Sequence, residues 1–257
     1  MTDQRMQRIR DGLAARLAFD VDALVPWIVA GQRVGWLSRE RASLLARWPQ
    51  WFDVSTQRVD LRETLDNEAE RTAALAEVIM RLAEDGHVLG WRDERFAVNT
   101  GWGTPALALI ERAAARFCRI RTYAAHMNGL IDGGEGAEPA LWLARRAETK
   151  PIDPGMWDNL VAGGIGHGFD ARGALEKECW EEAGIGADLA AQLVPCGTLD
   201  VLREVPEGIQ CETLFAFNLT LPDSFIPANQ DGEVAGHLRA SPDAALDIMA
   251  DFAMTVD

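Results

Sequence analysis

The tightest constraint in the sequence is the segment DARGALEKECWEEAG, Asp170 to Gly184, which carries a helix start at one end and a helix stop at the other. Asp170 suits an N-cap, where a short acceptor side chain satisfies an otherwise unpaired amide of the first turn. Gly184 suits the left-handed residue that follows a helix. A helix is therefore predicted from Ala171 to Ala183. At about 100° per residue, Ala171, Leu175, Cys179 and Ala183 fall on one apolar stripe. Relative to Cys179, Glu182 then lies about 60° around the helix, Glu178 about 100° and Glu181 about 160°, all on the same side. Three carboxylates share one flank, and Glu182 borders the buried face. Glu178 and Glu182 are like charges at i,i+4, a pairing that costs roughly 0.2–0.5 kcal/mol even in water. A partly desolvated carboxylate costs more unless a cation pairs with it. Clustered hard oxygens suit Mg²⁺ or Mn²⁺, which keeps some of its waters and bridges to substrate phosphate.

The bulk properties agree with a site of that kind. The net charge of −15, from 40 acidic and 25 basic residues, excludes general nucleic-acid binding, because no basic stripe is available to displace counterions. It permits a small phosphorylated ligand with divalent cations between ligand and protein. Cys118, Cys179, Cys196 and Cys211 are far apart and form no C-x-x-C pair, which fits reduced thiols better than a disulfide framework or a zinc site. The N-terminal MTDQRMQRIRDGLAARLAFD lacks the apolar core of a secretory signal. Its arginines faintly suggest a mitochondrial presequence, but Asp3, Asp11 and the absence of serine argue against it. No apolar run approaches the roughly 20 residues that span a bilayer, so a cytoplasmic location with no membrane partner is expected.

Along the chain, residues 1–117 read as a small α+β domain and 118–257 as a second domain. RMQRIRDGLAARLAF is predicted helical, PWIVAGQRVGWLS as strands about a glycine turn, and RTAALAEVIMRLAEDG as an amphipathic helix closed by Gly86. HVLGWRDERFAVN reads as two short strands around a charged turn. TPALALIERAAARFCR reads as a helix with Thr104 as N-cap and Pro105 at the first position. In the second domain, CRIRTYAAHMNGLI and ALWLARRA read as strands, TLDVLREVPEGIQCETLFAFNLTL as two more, and SPDAALDIMADF as a helix capped by Ser241. Six of the nine tryptophans lie between Trp27 and Trp102. They fill a small core, or some of them form an aromatic wall for a planar ligand.

The segment from Gly163 to Ile185 resembles a Nudix box, G-x5-E-x7-R-E-U-x-E-E-x-G-U, with U an aliphatic or similar residue. Gly163 matches the first glycine, Glu178 the Glu of "RE", Cys179 the first U, Glu181 and Glu182 the "EE", Gly184 the last glycine and Ile185 the final U. Phe169 stands where the box has its first Glu, and Lys177 where it has Arg. Lys177 still orients a carboxylate, without the bidentate fork of Arg. With ARRAETKPIDPGMWDNLV before the box, REVPEGIQCETLFAF and NQDGEVAG after it, and VGWLS and GWRDERFAV far upstream, the chain is similar to one branch of that family. This branch contains the hydrolase part of fungal thiamine pyrophosphokinase fusions and certain plant chloroplast Nudix proteins.

The resemblance implies a C-terminal Nudix α/β/α sandwich with a mixed sheet, preceded by a small α+β domain of unknown function. It implies an enzyme that hydrolyses a diphosphate linkage in a small organic diphosphate, with thiamine diphosphate or an oxidised form of it favoured. The implied metal set for Mg²⁺ or Mn²⁺ is Glu178, Glu181 and Glu182 with a carbonyl at Gly163. Glu178 and Glu182 are also implied as catalytic, together with a distal carboxylate, Glu233, with Glu207 and Asp231 behind it. The cationic residues expected to bind substrate are Arg145, Arg146 and Lys150, with His167 from the loop before the helix and Lys177 in support. Successive strand residues face opposite ways, so only one of Arg145 and Arg146 is expected to face the site. His126 is as much a core residue as a ligand wall. ADP-ribose or nucleoside diphosphate-sugar cleavage, isopentenyl-diphosphate-type isomerisation and a non-catalytic Nudix-like binding module are the competing readings; an isomerase would want a cysteine and a glutamate at a carbon centre, an arrangement not seen here. The final ADFAMTVD falls where the branch continues into a further helix. A short end there would expose apolar surface, weaken the fold, or require a partner such as a second copy.

Overall fold

The computed structural model describes residues 2–18, 24–132, 134, 136, 138–150, 152–205 and 208–256. In the first half, α1 (Thr2–Arg16), β1 (Leu24–Val29), β2 (Gln32–Ser38), α2 (Arg39–Leu45), β3 (Phe52–Val54), β4 (Val59–Leu61) and α3 (Glu68–Glu84) follow one another. A hairpin of β5 (Arg95–Val98) and β6 (Ala108–Glu111) and the short helix α4 (Ala115–Cys118) complete it. The first four strands form one sheet, ordered β2-β1-β4-β3. Leu75, Val78, Ile79 and Leu82 of α3 are spaced to share one helix face. They pack with Trp27, Leu37, Phe52, Phe96 and Phe117 into the core of this unit.

The second half begins with β7 (Arg121–Asp132), β8 (Ala140–Arg146), β9 (Trp157–Asp158) and β10 (Val161–Gly164). It continues through α5 (Ala171–Ala183), α6 (Ala187–Ala190), β11 (Val194–Val205), β12 (Gly208–Pro222), β13 (Val234–Ala240) and α7 (Pro242–Ala250). Its mixed sheet has seven strands in the order β11-β12-β7-β8-β13, with β10 added on β7 and β9 on β8. The β7–β12 pairing is parallel and the others are antiparallel. Alternation along β7 separates two environments. Tyr123, Ala125 and Met127 join the core under Leu175 and Cys179 of α5, while Ala124 and His126 turn to the opposite face and line a cavity. α7 covers Leu143 and Ala240 at the far edge.

Two sequence expectations change. Residues 104–111 do not start a helix. The Thr104 hydroxyl donates to the Gly101 carbonyl at 2.7 Å, and buried Ala108 and Ile110 alternate with more exposed neighbours in β6. The free edge of β6 is held by α3: Thr72 Oγ1 accepts from Leu109 N at 2.8 Å, and Arg71 Nε donates to the Leu107 carbonyl at 2.6 Å. Tertiary hydrogen bonds override the helix propensity of this alanine-rich stretch. Only Arg95–Val98 of HVLGWRDERFAVN is a strand, and its partner is β6, because Gly90 and Asp93 adopt positive φ and turn the chain away. Helix α1 packs on α7. Arg5 bonds Asp243 at 2.5 Å and Asp247 at 2.9 Å, and a side chain at Gly12 would collide with Phe252, 1.7 Å from its ring.

Candidate active site

α5 forms as its end signals require. Asp170 Oδ1 accepts from Gly173 N at 2.7 Å, and Gly184, at φ 67°, lets its own amide and that of Ile185 bond back to Trp180 and Cys179. Leu175, Cys179 and Ala183 are buried against the sheet. Glu182 is dragged in with them, being 6% exposed. Its Oε2 accepts from Ala162 N of β10 at 2.9 Å. Glu178 crosses the neighbouring residue so closely that a Cβ at Gly163 would stand 2.3 Å from its Cγ. The glycine at position 163 is therefore a packing requirement of Glu178.

Burial pushes the Glu182 carboxyl up to about 8, against the opposing pull of the Ala162 amide and Lys150. Burial also raises Glu178, and Lys177 partly offsets this. Lys150 is lowered, chiefly by burial, while Glu182 acts in the opposite sense. Lys177 reaches both Glu178, at 3.5 Å, and Glu181. Among the described residues no three His, Cys, Asp or Glu side chains converge into a ready-made metal cage. The donor set nonetheless fits a hard divalent cation: its side chains are all carboxylates, buried Glu182 and half-buried Glu178 resist ionisation as like charges, and ammonium groups stand beside them.

The glutamates open into a cavity of about 460 Å³. Its floor is the Thr122, Ala124 and His126 face of β7, with Ala162, Gly163 and Gly164 of β10 beside it. Arg146, paired with buried Asp158 at 2.9 Å, and Lys150, paired with Glu233, stand at one side. A polar chain closes another side: Arg203 bonds Asp153 and Gln210, each at 2.7 Å, Gln210 donates to Glu212, and Thr122 donates to Glu212 at 2.8 Å. The first half of the chain supplies a further part of the wall, with Arg92, Phe96, Arg112 and Arg116.

The NUDIX domain family matches residues 122–252, which holds this sheet, the glycine loop and α5. The chain belongs to the Nudix family. A domain of unknown function, DUF4743, matches residues 4–122. Nudix hydrolase 20, chloroplastic, of Arabidopsis thaliana is 35% identical over 219 residues, covering 82% of this chain and 58% of that protein. Nudix hydrolase 24, chloroplastic, of the same plant is 36% identical over 212 residues, again covering 82% and 58%. The uncharacterized protein YJR142W of Saccharomyces cerevisiae is 30% identical over 199 residues, covering 71% of this chain and 57% of that one. The chain thus spans a little under three fifths of the length of the curated relatives it matches.

Of the residues singled out from the Nudix pattern and its flanks, Gly163, Glu178, Glu181, Lys177, Arg146, Lys150, Asp231 and Glu233 all line the cavity, with Glu182 directly behind the loop. Arg145 does not. Strand alternation turns it outward, where its Nε donates to the Gly155 carbonyl at 3.0 Å. His167 does not either: its amide donates to the Arg95 carbonyl at 2.8 Å, and the residue lines a separate slot with Trp102, Tyr123 and Phe169. Phe169, at the position of the Nudix box's first Glu, is 59% exposed in that slot. Glu207 lies outside the described residues. His126 is both core and wall, being buried, lining the cavity and standing 3.0 Å from Asn159 Oδ1. Of the tryptophans, Trp27 and Trp48 are core, whereas Trp102 is exposed and packs on Tyr123 and Phe215. The sequence reading missed Asp158, Asp153, Gln210 and Glu212, and also Arg92, Arg112 and Arg116. Only the charged run WRDER gave any local signal for these.

Proposed function

We propose that this protein is a metal-dependent Nudix hydrolase that cleaves the diphosphate linkage of a small organic diphosphate and releases a monophosphate. The observation that carries this reading is the pair of ionisation-resistant carboxylates, half-buried Glu178 and buried Glu182, packed on the glycines of β10 beside a cavity that also holds lysine and arginine. Glu178, Glu181 and Glu182, with the Gly163 carbonyl, would hold Mg²⁺ or Mn²⁺. When bound, such an ion neutralises phosphate charge and lowers the pKa of a coordinated water. Lys150 and Arg146 take the remaining negative charge of the substrate and fix its phosphates in line for attack. Glu233, held by Lys150, accepts the proton of the attacking water. Lys177 fixes the rotamers of Glu178 and Glu181.

Thiamine diphosphate or an oxidised form of it is the favoured substrate. The support is the likeness to the thiamine-linked Nudix branch, together with a cavity whose far side presents the carboxylates Asp153 and Glu212 to a polar or cationic organic group. The test is phosphate and monophosphate release from thiamine diphosphate, its oxo form, ADP-ribose and nucleotide sugars, with Mg²⁺ or Mn²⁺, for the wild type and Glu182→Gln. Metal-dependent turnover of one class, lost in the variant, is the expected result. No turnover on any compound with ligand binding intact would replace the reading with a binding module.

A further inference from the structure

Two glycines beyond the Nudix pattern, Gly164 and Gly166, face the first half of the chain. A Cβ at Gly164 would stand 3.4 Å from Arg112 Nη2 and 3.4 Å from the Phe96 ring, and one at Gly166 would stand 2.7 Å from Glu94 Oε1. The loop that leads into α5 is thus in direct contact with Glu94, Phe96 and Arg112. These three residues also bind one another. Arg112 Nη1 bonds Glu94 at 2.6 Å, and its guanidinium lies over the Phe96 ring, 5.5 Å from the centroid.

The cations around the cavity divide into two groups. Lys177, Lys150 and Arg146 are each paired with a carboxylate that also lines it: Glu178 and Glu181, Glu233, and Asp158. Arg112 is different. Its partner, Glu94, sits outside the cavity against Gly166, and its Nη2 lies over Gly164 at the end of β10, near enough to be among the charges acting on Glu178. Arg92 also lines the cavity, and among the described residues no carboxylate pairs with its side chain. A guanidinium fixed at one edge by a carboxylate and beneath by a ring is pre-organised to give its remaining donors to a phosphate.

We propose that Arg112, with Arg92 beside it, is a substrate-phosphate-binding residue supplied by the first domain, so that the active site is built by both domains and the DUF4743 unit is half of the binding wall. Glu94 and Phe96 are its positioning residues. This rests on the diphosphate reading above. It adds a residue and a role for the first domain that the Nudix box does not contain.

The experiment measures binding of methylenediphosphonate, a non-hydrolysable diphosphate, to the full chain in Mg²⁺ by calorimetry, beside steady-state kinetics on the best substrate of the panel. Arg112→Ala is expected to weaken diphosphonate binding by about 10- to 100-fold, as loss of a charged hydrogen bond does, and to raise KM more than it lowers kcat. Arg112→Lys, which keeps the charge and loses the fork, should fall between. Glu94→Gln separates the roles, because it breaks the same ion pair without removing the cation. It should weaken diphosphonate binding by no more than a few-fold, because the Gln oxygen can still accept from Arg112 and the Phe96 ring still lies beneath the retained cation. Equal losses in Arg112→Ala and Glu94→Gln would make the pair a structural clasp and overturn the proposal, as would an unchanged Arg112→Ala or a wild type that binds no diphosphonate. Diphosphonate binding that depends on Arg112, without turnover of any substrate, would sink the hydrolase reading and leave this inference standing.

Discussion

α5 and the Arg95–Arg112 segment both border one cavity, and the chain specifies them in opposite ways. In α5 all the information is local: an N-cap at Asp170, a stop at Gly184 and an apolar stripe between them. In the other segment the Ala-Leu-Ile run becomes strand β6 only because β5 pairs with one edge and Thr72 and Arg71 bond the other. The difference teaches where each half of the site is fragile. A change in α5 is felt by the chemistry at once, whereas a change around β6 acts through the placement of Arg112.

The largest expected effect is on the α5 side. Glu182→Gln keeps the shape and the hydrogen bond from Ala162 but removes the charge, and turnover should fall by roughly 10²–10⁴-fold, the range for loss of a charged group acting in the transition state. Initial rates at saturating Mg²⁺ measure it. A loss under tenfold would move the essential carboxylate elsewhere.

Much of this side was legible in the sequence. The helix limits, the shared flank of the three glutamates and the place of Glu182 at the border of the buried face follow from periodicity and caps. The glycine at position 163 was legible as a pattern match, but its cause, the Glu178 side chain lying across it, needed coordinates. The wall from the first domain was not legible. Arg92 and Arg112 are separated by 20 positions and meet the glutamates only through the fold, and nothing local distinguishes them from solvated arginines. The outward turn of Arg145 followed from alternation once the strand was known, whereas His167 was misplaced because the geometry of a glycine loop cannot be read from composition.

The glycines sharpen the comparison. Gly163→Ala forces a Cβ to within 2.3 Å of Glu178 Cγ, so the carboxylate or the loop must move. About 1–3 kcal/mol of stability should be lost, in the range of an overpacked core, with most of the activity. Gly166→Ala meets only the flexible end of Glu94, 2.7 Å away, and should cost well under half as much. Thermal melts and rates of the two variants side by side decide it. Equal losses would mean that the first domain grips the loop as rigidly as Glu178 does.

The metal-free protein should carry the charge of this site in its pH dependence. The Glu182 carboxyl titrates near 8 when folded against a normal value of 4.5, so the folded state holds the proton more tightly. Its contribution is fully present below the normal value and is lost as pH rises through the folded one. Chelated wild type should therefore lose stability relative to Glu182→Gln between those limits, on the order of a few kcal/mol. Adding Mg²⁺ should restore more of it at the alkaline end, because a metal binds the ionised form. Melts with chelator and with Mg²⁺ across that window test both signs, and parallel curves for wild type and variant would show that Glu182 is not the titrating group.

The smallest effect tests the other side of the comparison. Thr72→Ala removes the acceptor for Leu109 N on the edge of β6, along with its own hydrogen bond to Glu68 at 2.7 Å. A strand backbone amide left without its partner costs roughly 1–2 kcal/mol. Because β6 leads directly into Arg112, the variant should also raise KM for a diphosphate substrate by a few-fold while leaving kcat close to wild type. A stability loss without any change in KM would show that the Glu94–Arg112–Phe96 cluster holds its place on the glycine loop independently of the β6 edge. The wall from the first domain would then be anchored by its contact with the loop and not by the hairpin that carries it.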